Sequence, residues 1–169
     1  MPLDRERIAA VRRQIEAAFA AAEQPGDGEL LHPQCMDDVD ILSFYSDAAC
    51  NAAFGGAPHW REVPDATIVY EYAALTAFSP KAFRFYLPAY LLYTLAHYAD
   101  PEYAAESTLR ALDPGTDKEM LHGFMASHYA LLDAAETDAV VAFLELMAED
   151  PDLAEFAEAA LVNWWYGAR

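Results

Sequence analysis

What most constrains the fold of this chain is its helix-start punctuation: a capping side chain or a proline repeatedly stands directly ahead of a run whose apolar residues recur at helical spacing. Ser79-Pro80 and Asp100-Pro101 each put a cap before a proline at the first helical position, where the missing N–H goes unused. Pro64-Asp65 opens a run that reads as helical through Phe78, with Ile68, Tyr72 and Leu75 on one side. Asp133-Ala-Ala-Glu136 and Asp152-Leu-Ala-Glu155 are capping-box patterns. The first precedes Val140, Val141, Leu144 and Met147, the second Phe156, Ala160 and Trp164.

The remaining segments follow the same period. Ile8, Val11, Ile15 and Phe19 predict a helix that stops before Pro25-Gly26-Asp27-Gly28, and Val39, Ile41, Leu42, Tyr45 and Ala49 predict one from Asp37 to Ala53. The Asp100-Pro101 helix runs to about Leu112, ahead of Asp113-Pro114-Gly115, and Leu121, Phe124, Met125, His128 and Leu132 mark another. Pro88 falls inside the Ser79 helix and predicts a kink or short break near Arg84. Alternation of the strand type is confined to Thr67–Glu71. The expected fold is all-α, a compact single-domain bundle over residues 1–169 with about six to eight helices around a proline-bent aromatic one.

Hydrophobic residues make up 55% of the chain, enough for a core without disulfides or a structural metal, and no cofactor is expected. The formal charge of −18 disfavours nucleic acid and anionic lipid and favours a basic protein partner. It is unevenly spread, because Lys and Arg are absent from Gln14 to Trp60 and from Glu119 to Ala168. Two cysteines and a start without a secretory pattern predict a cytoplasmic protein, and Phe83–Ala99, interrupted by Arg84, Pro88 and His97, reads as a buried helix rather than a membrane span.

Candidate sites come from side-chain chemistry alone. Tyr86, Tyr90, Tyr93 and His97 fall at steps of four, three and four, a stripe of rings with polar tips that could line a ligand pocket or fill the core. Arg84 could bind an anion or, more simply, pair with an internal acid such as Glu71, Asp113 or those of the last helices. Glu71 could form an acid/base pair with His97. His32 and Cys35 are half of a metal site, which alone predicts no bound metal. Two acidic segments, Asp37, Asp38 and Asp40 in one and Asp150, Asp152, Glu155 and Glu158 in the other, are the candidate interaction surfaces.

Trp60-Arg-Glu-Val-Pro64, Phe83-Arg-Phe-Tyr-Leu-Pro-Ala-Tyr-Leu91 and Ala111-Leu-Asp-Pro114 resemble a bacterial family known only as a domain of unknown function. The resemblance covers roughly Ile8 to Met147, and the tail through Trp164-Trp165-Tyr166 is less typical of it. It implies a compact helical domain and aligns a Cys- and acid-containing segment with His32-Pro-Gln-Cys35-Met-Asp37-Asp38, and Trp60 is a further candidate ligand residue. The resemblance supplies no catalytic residues. The resulting expectation is an acidic interaction module, of immunity or antitoxin type for instance, with a small-molecule-binding protein or enzyme built on the Tyr86–His97 region as the alternative. The far-ultraviolet circular dichroism spectrum is expected to be that of a helical protein, and more sheet than helix would overturn the fold assignment.

Overall fold

The computed structural model describes residues 3–26, 28–30, 52–54, 58–99, 103–116 and 121–168. Among them the secondary structure is helical. Helix α1, Arg5–Ala18, starts where the Asp4 carboxylate accepts from the Glu6 N–H at 2.9 Å, and it buries Val11 and Ile15, with Phe19 just beyond its end. The last carbonyls of a helix have no partner within it, and here two come from far along the chain. Trp60 Nε1 donates to Phe19 O at 2.9 Å, and the Arg61 guanidinium donates to Glu16 O at 2.9 Å. Both residues sit on the short 3₁₀ turn Trp60–Glu62.

The run after Pro64 departs from the expected single helix to Phe78. Helix α2, Asp65–Tyr70, stops at Glu71, and the chain re-forms a 3₁₀ turn at Ala74–Thr76. The Glu71 carbonyl accepts from Ala74 N at 3.0 Å and from the Tyr90 hydroxyl at 2.7 Å, bonds that replace the one a continuing helix would make to residue 75. The break keeps Ile68 and Leu75 both buried while turning Tyr72 outward, to 43% exposure, where the unbroken period had put it inside.

Helix α3, Pro80–His97, forms the centre. Ser79 caps it, accepting from Ala82 N at 3.1 Å, and Pro80 takes the first turn as expected. Residues on every side are buried, from Ala82 and Phe83 to Thr94 and Leu95, so the helix has no outward face over most of its length. The helix continues without a break through Pro88. It packs against α1, α2, the turn at Trp60, and two further helices, α4 (Tyr103–Ala111) and α5 (His122–Tyr129). Helix α6, Ala134–Met147, lies against α1 and opens with the expected capping box: Glu136 N donates to Asp133 Oδ1 and Asp133 N to Glu136 Oε2, both at 2.9 Å.

The second expected capping box does not form. Helix α7, Ala154–Ala160, follows Leu153 with no side-chain cap, because Asp150 rather than Asp152 closes the turn. Its Oδ1 accepts from Asp152 N at 3.1 Å and its carbonyl from Leu153 and Ala154. α7 then widens into a π-helical turn, Leu161–Trp165, before Tyr166–Ala168. Four-residue steps overshoot a 3.6-residue turn, and the wider turn takes up the overshoot, so Ala157, Leu161 and Trp165 are all buried while Trp164 is left half-buried. Trp165 Nε1 donates to Leu112 O at 2.7 Å and the Tyr129 hydroxyl to Ala111 O at 2.7 Å, which together satisfy the end of α4.

Trp165→Phe removes both a filled volume and the donor to a buried carbonyl, and is expected to cost about 2–4 kcal/mol in urea unfolding. Trp164→Phe, whose indole is half-exposed, should cost no more than about 1 kcal/mol. Equal costs would contradict the assignment of Trp165 as the anchor.

Candidate functional site

α2 is too short to bury two sides, and its outward face meets the last turns of α3 across an open groove. Asp65, Ala66, Val69 and Tyr70 come from α2, Tyr72 from the turn after it, and Tyr93 and His97 from α3, enclosing about 810 Å³. The Tyr93 and His97 rings stack at 4.3 Å with 28° between their planes. His97 Nε2 lies 3.8 Å from Asp65 Oδ2, too far for a hydrogen bond. Tyr70 is 73% exposed and Tyr103, whose ring centre is 6.1 Å from that of Tyr72, is 80% exposed. Large apolar rings gathered at one exposed place signal binding, whereas scattered ones do not. Behind Tyr70 a smaller hollow of about 390 Å³ is lined by Ala53, Ala66, Thr67, Tyr70 and Glu71.

The aromatic stripe of α3 is thereby divided by its surroundings. Tyr93 and His97 reach the groove, but Tyr86 and Tyr90 are fully buried. Tyr86 packs against Phe54, Phe78 and Phe85 with ring centres 4.6, 4.8 and 4.9 Å away, and Tyr90 bonds the end of α2. Trp60 is likewise in the core, with the Arg61 guanidinium 4.3 Å over its ring. Glu71 is 3% exposed and lines the smaller hollow, whereas His97 lies on the groove. Asp152, Glu155 and Glu158 are exposed, while Asp150 is buried in its turn. Asp37, Asp38, Asp40, His32 and Cys35 lie outside the described residues. Among the described residues no three His, Cys, Asp or Glu side chains group as metal ligands.

Sequence reasoning missed Asp65, Val69 and Tyr70, since no period marks an outward aromatic patch. A usable signal was the density of Val69-Tyr70-Glu71-Tyr72 beside the buried Ile68 and Leu75 positions, too many large rings for one inward face.

Arg84 serves the bundle. Its Nε is 2.9 Å from both carboxylate oxygens of Glu136, and a terminal nitrogen lies 3.8 Å from Asp133 Oδ2, so the guanidinium clamps the capping box of α6 onto α3. The Glu136 side chain is 1% exposed and that of Arg84 37%. Burial pushes the Glu136 carboxyl above its ordinary range, and the Asp133 N–H and Arg84 pull the other way. A carboxyl raised in the folded state is a group whose ionisation opposes folding, so stability falls as pH climbs from the ordinary glutamate value toward the raised one. Arg84→Met is expected to steepen that fall. It should cost about 3 kcal/mol near pH 7, the low end for a broken buried pair because Arg84 is partly solvated, and distinctly less near pH 5. Urea unfolding at the two pH values checks this, and a cost independent of pH would contradict it.

A family model described as "Family of unknown function (DUF6714)" matches residues 8–169, which carries the match beyond Met147 and through the Trp164-Trp165-Tyr166 tail. Comparison with curated proteins and with solved structures gave no match. Among the described residues no helix is long and apolar enough to cross a membrane.

Proposed function

The chain belongs to this family of unknown function, and from its own residues we propose that it is an interaction module for a basic protein segment, which lies across the α2–α3 groove. The observation that carries the reading is the groove itself, an exposed gathering of tyrosines with Asp65 at its edge, on a chain of formal charge −18. Several of the few basic side chains are already engaged with acids of the same chain. Arg7 meets Glu149 at 2.5 Å, Lys81 meets Glu29, Arg84 meets Glu136, and Arg110 meets Glu106 at 2.7 Å. The surface therefore presents a negative field that attracts a cationic partner from a distance and repels nucleic acid and anionic lipid. Low cysteine usage fits a cytoplasmic setting.

The two parts of the reading separate by mechanism. The field sets the encounter rate and is screened by salt, while the groove sets how long the partner stays. Of the acidic candidates on and ahead of α7, Asp152, Glu155 and Glu158 are exposed, which supports a contribution to that field. A lysine- and arginine-rich peptide is expected to associate more slowly as sodium chloride is raised. The triple variant Asp152→Asn, Glu155→Gln, Glu158→Gln should slow association by up to about tenfold with little change in dissociation. Association that ignores both salt and these substitutions would overturn the proposal.

A further inference from the structure

Resting on that reading, we infer that the α2–α3 groove recognises one arginine side chain of the partner, its guanidinium laid on the tyrosine rings and turned toward Asp65. The groove brings together three kinds of group: tyrosine rings (Tyr70, Tyr72, Tyr93), an imidazole (His97) and a carboxylate (Asp65). Aromatic rings and carboxylates are groups with which this chain already holds its own guanidinium ions. Arg61 lies 4.3 Å over the Trp60 ring. Arg110 lies 4.4 Å over the Phe156 ring while its Nε donates to Glu106 at 2.7 Å. The groove gathers aromatic rings beside a carboxylate on a strongly acidic molecule.

Arginine fits this site better than lysine for reasons of shape and hydration. The guanidinium is planar, so it can lie on a ring while its edge donates to a carboxylate, and it gives up water more readily than an ammonium. An ammonium is a point charge with a tight hydration shell, and in an open groove it keeps that shell. Asp65 is 73% exposed at its side chain, which makes its charge alone a weak grip, so the rings must supply much of the attraction.

The test uses end-blocked glycine–serine peptides with a single central arginine, lysine or citrulline, titrated into the ¹⁵N-labelled full chain at high salt so that long-range attraction is suppressed. The arginine peptide is expected to shift the signals of Tyr70, Tyr72 and His97 and to bind at least about threefold more tightly than the lysine peptide. The neutral citrulline peptide should shift none of them. Asp65→Asn should bring arginine down toward the lysine level, and Tyr70→Ser should weaken arginine binding about fivefold. Because Tyr70 is exposed, the melting temperature of that variant should match the parent's. Equal binding of arginine and lysine, or groove signals that stay fixed, overturns the inference. If they stay fixed while the lysine- and arginine-rich peptide still associates in a salt-dependent way, the interaction reading survives and the arginine seat does not. If neither peptide binds, both fall.

Discussion

Helix ends inside a protein leave carbonyl oxygens that something must satisfy, and this chain does it with aromatic side chains. Glycine is scarce, at seven residues, and α1, α2, α6 and α7 carry no basic residue in the last turn. The usual glycine and lysine caps are therefore in short supply. In their place Trp60 serves α1, Tyr90 serves α2, and Trp165 and Tyr129 serve α4. Each ring fills core volume with its body and bonds a carbonyl with its tip. These four side chains thus do packing and capping together.

That economy has an electrostatic counterpart. With few cations available, three of the ion pairs among the described residues connect segments distant in sequence: Arg7 with Glu149, Lys81 with Glu29, Arg84 with Glu136. Only the last has a partner withdrawn from water, and there the clamp sits on a capping box whose glutamate is otherwise costly to bury. Glu71 and Asp150 are buried as well, whereas Asp152, Glu155 and Glu158 face outward. Acids outnumber bases 28 to ten in this chain, and several of the bases are already held by acids of the same chain.

Local grammar was legible wherever the determinant was itself local. Ser79-Pro80 starts α3 and Asp133–Glu136 boxes α6, because both signals are completed by neighbours in sequence. Asp152–Glu155 has the same letters and fails, since Asp150 closes the turn first. The helix expected from Pro64 to Phe78 breaks at Glu71 on a hydroxyl contributed by Tyr90, which no window of that length contains. The candidate site was half visible for the same reason. Tyr93 and His97 belong to a stripe that periodicity finds, but only the position of α2 decides that those two rings meet a groove while Tyr86 and Tyr90 are sealed.

The distances in sequence that these caps span also shape how the protein comes apart. Phe19 waits for Trp60, 41 residues on, and Leu112 for Trp165, 53 residues on. Neither helix can complete its last turn until the other side of the molecule has docked, so fraying there is suppressed in the native state and sudden on its loss. Unfolding is accordingly expected to be cooperative across segments that do not touch in sequence, with slow hydrogen exchange reaching the final turns of α1 and α4, where helices ordinarily exchange first. Three tryptophans distributed over these two junctions make the chain its own fluorescent gauge of when each one closes.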